Sequence, residues 1–417
     1  MRHELEVSIL SRTCASILAL IACAACGDEA KPADLSGVTL VREDPGGRPL
    51  ANLPEEWLSR FKSGDGLFDH TYLDSQGLGP VLIRSSCVSC HKDDGRGPGA
   101  VRKMVLIDDD GAPLADQSAL PFGNTVRPQT AAGVSQGITV PEDGPKLLVS
   151  TRMPPAVFGR GFMEAVSDAE IMRVEAAQAE REDGISGRIN WVTYASNRNP
   201  ESRFATHEKG EVLIGRFGLK ARIASLDDFV ADAMQGDMGM TSDMRPNELP
   251  NPAGEMDDMP GVDLAPDSIN LIADYMRSLR IPNRQLSDSD SKGAALFEQA
   301  QCSVCHAPTL HTDADYALPL LADIDAPIYT DMLLHDMGPA FSDGLGDQSA
   351  TASEWRTAPL LGMRFMRVYL HDGRASSLEE AIELHGADGS EAADSVRRFK
   401  ALDDASRAQL LAFVTAL

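Results

Sequence analysis

The chain has 417 residues, of which 43% are hydrophobic and 24% charged, the balance of an ordinary soluble protein with two to three domains and real cores. Its formal net charge of −25 argues against nucleic acid and against an anionic membrane surface, and suits a cationic partner. Aromatic residues make up only 5%, which leaves room for another bulky apolar group in the packing.

The N-terminus reads as an export signal. Arg12 precedes a mostly apolar run from Cys14 to Ala25 that is too short to span a bilayer as a stable helix. Leu20-Ile21-Ala22-Cys23 resembles a bacterial lipobox with Cys23 as the lipidated residue, and Cys26 is its rival. Residues 1–26 are therefore expected to direct export to the periplasm with a lipid anchor, which would be the chain's only tie to the membrane. Residues 27–55 carry Pro32, Pro45, Gly46, Gly47 and Pro49 and read as a flexible tether, with the folded body starting near Glu56.

Two stretches dominate the body: Cys87-Val88-Ser89-Cys90-His91 and Cys302-Ser303-Val304-Cys305-His306. C-x-x-C-H is the attachment signature of a c-type haem, in which both thiols add to the haem vinyl groups and the adjacent His coordinates iron. Two copies, in a chain with no other cysteine beyond residue 26, point to two covalently bound haems with His91 and His306 as axial ligands. A zinc site built from both Cys pairs is the competing reading, and it leaves the two histidines unexplained.

Each motif has a similar lead-in, Gly66-Leu67-Phe68 and Gly293-Ala294-Ala295-Leu296-Phe297. In a cytochrome c fold that segment is the first helix, packed across the last helix of its domain. Ser167-Asp168-Ala169-Glu170 is a capping box for a helix running to about Glu182, with Gly184 and Gly187 as stops. Residues 184–210 read as irregular, and the Met-rich stretch 236–267 reads as loop. Leu271, Ile272, Tyr275, Met276 and Leu279 then repeat at helical spacing, up to Pro282. A final helix runs from about Asp403 to Leu417, with Leu410, Leu411, Val414 and Leu417 on one face.

The halves repeat one another. Ser225-Leu226-Asp227-Asp228 and Ser377-Leu378-Glu379-Glu380 both read as a Ser N-cap followed by an acidic first turn. The expected fold is mainly α: two cytochrome c-like domains, 56–285 and 286–417, related by duplication, with long irregular loops. In the second half, Leu378, Ala381, Ile382 and His385 share a helix face, so His385 points inward as a candidate second axial ligand. Met363, Met366, His335 and His371 compete with it. The matching position in the first half is Ala233, which cannot bind iron. The first haem is then either open or closed by Met234, Met238 or Met240. Asp237 lies one turn past Ala233 and is the candidate acid/base over an open face.

Glu354-Trp355-Arg356-Thr357-Ala358-Pro359-Leu360-Leu361-Gly362, Tyr369-Leu370-His371-Asp372-Gly373-Arg374-Ala375 and Tyr329-Thr330-Asp331-Met332-Leu333-Leu334-His335-Asp336 resemble the bacterial dihaem c-type oxidoreductase family, over about Gly64 to Leu417. More distantly the chain is similar to dihaem cytochrome c peroxidases. The resemblance implies an electron-transfer haem, whose distal Met in the peroxidases is matched here by His385, and a peroxidatic haem, whose acidic residue is matched by Asp237. It also implies calcium as a third cofactor, for which this sequence offers no assignable ligands. The peroxidases' distal His after the first motif has no counterpart. Their ring between the haems falls near Leu219, with Phe217 as a substitute.

The leading expectation is an exported dihaem oxidoreductase of peroxidase type, fed by a small cytochrome c or cupredoxin donor and acting on a small oxidant such as peroxide. The competing expectations are a pure electron carrier with both irons six-coordinate, and an assembly or metal-handling partner hinted at by the Met-rich loop.

Overall fold

A glycine in the first helix of each half lets a second helix cross it at backbone contact. The computed structural model describes residues 46–417 apart from 98, 135–136, 255, 257–258, 266 and 285–289. Helix α1 (Glu55–Asp69) packs across α5 (Ser268–Ser278), and α6 (Asp290–Gln299) packs across α9 (Asp404–Ala416). A Cβ on Gly64 would lie 2.1 Å from the Leu271 carbonyl oxygen, and one on Gly293 would lie 2.4 Å from Phe413 Cβ. One turn further on, Phe68 meets Tyr275 at 5.3 Å between ring centroids and Phe297 meets Phe413 at 5.7 Å. The expected first-against-last packing is thus present in both halves. The crossing glycine is Gly64, however, because Gly66 faces open space.

Between these helix pairs run short helices and small antiparallel sheets. Strand β1 (Val81–Leu82) pairs with β4 (Gln129–Thr130), and β2 (Val101–Leu106) lies between β3 (Pro121–Val126) and β5 (Leu147–Arg152). The even-numbered residues Met104, Phe122 and Val126 turn into a small apolar cluster of their own, as strand alternation requires. Helices α2 (Arg160–Ala165) and α3 (Asp168–Ala179) follow. The Ser167 hydroxyl accepts from Glu170 N, so the predicted cap is in place.

Residues 184–210, irregular by composition, nevertheless contain β6 (Trp191–Thr193), which pairs with β7 (Val212–Ile214). Helix α4 (Leu226–Met238) starts at its Ser225 cap and ends in a left-handed Gly239. The Met-rich stretch beyond it holds neither helix nor strand among the described residues.

In the second half, β8 (Leu310–His311) pairs with β9 (Asp325–Ala326), and β10 (Leu334–Asp336) pairs with β11 (Glu354–Arg356), setting His335 opposite Trp355. Helix α7 (Leu378–Leu384) starts at its Ser377 cap, α8 (Ala393–Lys400) follows, and α9 closes the chain.

One core runs from Phe61 through α4 and α5 and takes in Leu310, Ile328, Met332, Leu333 and Leu361 from beyond residue 285. A second is built on Phe297, Phe399, Leu410, Phe413 and Val414.

The tether expected over 27–55 is shorter than its composition suggests. Leu50 N donates to the Ser278 carbonyl (2.8 Å), Gly47 N donates to Asp94 Oδ2 (2.5 Å), and Leu50 is buried. Paired backbone and a buried leucine dock this segment on the body despite its Gly and Pro content. The signal segment, the rest of the tether and the expected domain boundary lie outside the described residues. Among the described residues no helix is long and apolar enough to cross a membrane.

Candidate haem sites

Both Cys-x-x-Cys-His stretches fold as one tight turn. His91 N donates to the Cys87 carbonyl and His306 N to the Cys302 carbonyl, each at 2.9 Å, so both thiols and the following imidazole come to one side of a single loop. None of Cys87, Cys90, Cys302 and Cys305 is in a disulfide. Phe68 lies 6.3 Å from the His91 ring and Phe297 lies 6.5 Å from the His306 ring. Burial holds both imidazoles far below the usual range, at about 4, and therefore neutral. Paired thiols beside a neutral imidazole on a shielded apolar wall are the donor set of a c-type haem, and these residues fit one at each motif.

At the C-terminal motif, His306 Nδ1 donates to the Tyr329 carbonyl (3.2 Å), which leaves the Nε2 lone pair for iron. His385 caps the end of α7, and its Nδ1 donates to the Ala381 carbonyl (2.6 Å), which likewise frees Nε2. After burial, the proximity of His385 is the next largest influence lowering the His306 proton affinity, so the two rings are neighbours. Of the rivals, Met363 is buried in the second core and Met366 packs against it.

His335 and His371 are engaged elsewhere. His335 Nε2 lies 2.8 Å from Asp331 Oδ2 and its Nδ1 lies 2.7 Å from Glu391 Oε2. With a carboxylate on each nitrogen, the ring is an imidazolium. Burial opposes that charge, but Cys305 and Asp331 hold the His335 proton affinity well above the usual range. Gln178 Nε2 completes the shell by donating to Asp331 Oδ2 (2.8 Å). His371 stacks on Trp355 at 3.8 Å and 15°.

At the N-terminal motif the counterpart of α7 is α4, which runs past Ala233 to Asp237 and Met238. The end of α4 is pinned from outside: Ile83 N donates to the Asp237 carbonyl (2.6 Å) and Gly79 N to the Met238 carbonyl (3.0 Å). The Asp237 side chain is half-buried, and its carboxylate has no hydrogen bond or ion pair among the described residues. Burial pushes its pKa up to about 6, against the pull of Lys103, Arg222 and Arg127. Asp237 in turn is the strongest charged influence on both the Cys87 and Cys90 thiols. The structure therefore brings Asp237 to the first motif and His385 to the second. Met234, Met238 and Met240 are buried in the main core.

Several features carried no sequence signal. Leu219 packs against the cluster of Met337, Phe341 and Trp355, so aromatic rings do stand in its surroundings, Trp355 coming from β11. Lys220 Nζ sits 3.8 Å over the Trp355 ring and donates to the carbonyls of Thr351, Ala352 and Glu354. Lys103 and Arg127 beside Asp237 were also missed, since single basic residues carry no spacing signal. For calcium, no group of three or more carboxylates converges among the described residues. The group of metal-capable side chains found among the described residues is Cys305, Asp331 and His335, whose atoms already pair with one another.

The family model described as "Di-haem oxidoreductase, putative peroxidase" matches residues 142–417. No curated protein matches the chain. Among solved structures it is similar to a hydrazine synthase from Kuenenia stuttgartiensis (14% identity, TM-score 0.40, covering 98% of this chain and 100% of that one). A MauG-like protein associated with microbial copper homeostasis aligns at 16% identity and TM-score 0.41, over 91% of this chain and 94% of that one. A variant of the diheme peroxidase BthA from Burkholderia thailandensis aligns at 14% identity and TM-score 0.39, over 88% of this chain and 86% of that one.

Proposed function

Since this chain belongs to the di-haem oxidoreductase family, and is thus a haem-dependent oxidoreductase of peroxidase type, we propose that its two haems are c-type, covalently held and unequal. Cys302 and Cys305 would hold the electron-transfer haem between His306 and His385. Cys87 and Cys90 would hold the second haem on His91, with its other face open to a small oxidant and overhung by Asp237.

The observation that carries this reading is the difference between the two Ser-capped helices. One ends in an imidazole whose Nε2 is free, and the other has Ala233 at that place and an unpaired carboxylate one turn later. Bound haem would supply the iron that accepts the oxidant and passes electrons. Reduction of peroxide consumes two electrons and two protons and yields two waters. The chain's part is to move a proton from one peroxide oxygen to the other, and a carboxylate with no partner of its own is suited to that. Trp355, beside Leu219 and stacked on His371, would serve as the ring between the two sites.

In this proposal each half is a cytochrome c-like domain and the halves arose by duplication, a reading supported by the matching glycine crossings and Ser caps. The acidic surface suits a Lys-rich cytochrome c or cupredoxin donor. Export and an N-terminal lipid anchor agree with c-type attachment, which takes place outside the cytoplasm. A second reading, an electron carrier with a methionine on the first iron, draws on the burial of Met234, Met238 and Met240 close to Asp237.

A ligand titration separates the two. In the ferric holoprotein, imidazole or cyanide is expected to convert one high-spin haem per chain, and pyridine haemochrome analysis to return two haems per chain. Two low-spin haems that ignore added ligand would replace the catalyst with the carrier.

A further inference from the structure

Four rings run in file from β11 to the end of α7. Trp355 stacks on His371 at 3.8 Å between centroids, His371 lies 6.1 Å from Phe341, and Phe341 lies 6.0 Å from His385. The file thus ends on the imidazole proposed to hold the C-terminal haem. It is also reached from solvent, at His371. A cavity of about 360 Å³ lies between β5, the loop 342–344 and the loop 371–374, and His371 is part of its lining. That volume is at the lower end for a small-molecule site, ~300–1,000 Å³, and leaves room for one substituted ring.

The walls are braced by their own contacts. Asp343 accepts from Ser150 Oγ (3.0 Å) and Arg152 Nε (2.7 Å), which ties the first loop to β5. Arg374 donates through Nε to Asp372 (2.6 Å) and through Nη1 to the Ala340 carbonyl (2.7 Å). Met153 N, just past β5, donates to the His371 carbonyl (2.7 Å) and fixes the second loop. The charged groups that act on His371 are two carboxylates, Asp372 and Asp343, and two guanidinium groups, Arg374 and Arg152, and they pair with one another. Walls so balanced offer little to an ion and suit a neutral ligand.

His371 is the polar group left over. It is 8% exposed, and neither ring nitrogen has a hydrogen bond among the described residues; Asp372 Oδ2 stands 3.8 Å from Nε2, too far for one. Burial holds the ring well below the usual histidine range, so it is neutral and keeps a lone pair for an incoming O–H. Leu148 and Val149 add carbon to the same lining, against which a ring can lie.

We infer that this cavity admits a neutral, single-ring phenolic reductant of the hydroquinone class, whose O–H donates to His371 and whose electrons leave along His371, Phe341 and His385 toward the C-terminal haem. This rests on the reading above that His385 holds that haem. The balance closes over one turnover. Hydroquinone loses two electrons and two protons, both O–H bonds break, and quinone leaves; one peroxide takes up two electrons and two protons and becomes two waters. Each hydroxyl proton goes to His371 and on to solvent at the mouth, where Thr151 and Arg374 are exposed.

Resorcinol, the isomer that cannot form a quinone, is the binding probe, titrated into ferric holoprotein by calorimetry. It is expected to bind saturably and to compete with hydroquinone for reduction of the haems. His371→Phe keeps a ring against Trp355 and removes the acceptor, and should weaken resorcinol binding about 5- to 10-fold, the size of one hydrogen bond. Thr151→Trp, at an exposed strand position that tolerates a large ring, fills the mouth and should abolish binding. Phe341→Leu opens a gap in the file and should slow haem reduction by hydroquinone while resorcinol affinity is unchanged. Resorcinol that binds wild type no more tightly than the Thr151→Trp protein overturns the site; should that variant not fold, an unchanged affinity in His371→Phe does so by itself. His385→Ala checks the underlying reading separately. If it leaves the low-spin haem spectrum unchanged, His385 is no ligand and the electron route falls, while resorcinol binding still decides the cavity.

Discussion

The two haem motifs are approached by helices that begin alike and finish differently. Ser225 and Ser377 cap their helices through the same hydroxyl-to-amide bond, each over an acidic first turn. Helix α7 stops after two turns at His385, which offers a neutral imidazole, while α4 runs on to Asp237. The surroundings differ in the same sense. Beside the C-terminal motif the buried His335 lies between two carboxylates, Asp331 and Glu391, with Gln178 closing the shell. Beside the N-terminal motif the Asp237 carboxylate has no hydrogen bond or ion pair among the described residues. Paired charge rigidifies a site, whereas unpaired buried charge costs stability and persists where it meets a ligand. Under the proposed function, the contrast suits holding in one half and chemistry in the other.

The sharpest way to break that contrast is Asp237→Asn. If Asp237 moves the peroxide proton, the substitution lowers peroxidase kcat by about 10²- to 10⁴-fold while carbon monoxide affinity of the reduced haem is unchanged. Its pKa near 6 also fixes a pH dependence: wild-type turnover that needs the carboxylate falls as pH drops below about 6, and the asparagine variant loses that limb. Stability should move the other way. The folded-state pKa lies above the unfolded one near 4, so the protonated form is favoured by folding, and stability declines as pH rises from about 4 to about 6. Since the carboxyl is partly solvated, asparagine is expected to stabilise the protein at neutral pH by about 1–2 kcal/mol. A variant that is both less active and less stable would mark Asp237 as structural.

His335→Ala tests the opposite claim for the other half. It strands Asp331, which is fully buried (0% exposed), and should cost about 3–5 kcal/mol in chemical denaturation. Burial disfavours the imidazolium, but Cys305 and Asp331 hold its proton affinity well above that of an exposed histidine, and Glu391 lies on its other nitrogen. That stabilisation is complete below the unfolded value near 6.5 and is lost progressively as pH rises from there to the higher folded value. The difference between wild type and variant should hence be largest below about pH 6.5 and shrink steadily as pH rises above it. A difference already gone by about pH 8 would mean the ring is neutral and not ion-paired as described.

Much of this was legible in the chain because it depends on short-range rules. A Ser three residues before an acidic side chain is a helix start wherever it occurs, and the predicted starts at Ser167, Ser225 and Ser377 and at Asp403 are all present. The haem motifs are contiguous and so survive without tertiary information. The sheet carrying Lys103 and Arg127 was not foreseen. Its outer face is polar yet partly covered, Ser150 and Arg152 being tied to Asp343, so the usual apolar alternation does not register. Nor could spacing bring Trp355 to Leu219 or put Glu391 on His335. Those contacts depend on how β10, β11 and the loop after α7 fold back across long stretches of chain.

The smallest expected effect bears on how the halves correspond. Gly64, Gly66 and Gly293 all sit in first helices, and alanine improves helix propensity at each by about 1 kcal/mol. At Gly66 nothing opposes that gain, so Gly66→Ala should stabilise by up to about 1 kcal/mol. At Gly64 the new methyl meets the Leu271 carbonyl and at Gly293 it meets Phe413, so both helix crossings must spread, at about 1–3 kcal/mol less the propensity gain. Gly64→Ala should be the worse of the two, because a carbonyl held in the middle of α5 yields less than a side chain. The spectra should separate the halves as well: Gly64→Ala disturbs the haem on His91, through Phe68, and Gly293→Ala the haem on His306, through Phe297. Should Gly66→Ala prove the damaging change, α1 would have to be turned by about 200° about its own axis to bring that residue onto α5, and its match to α6 would fail with it.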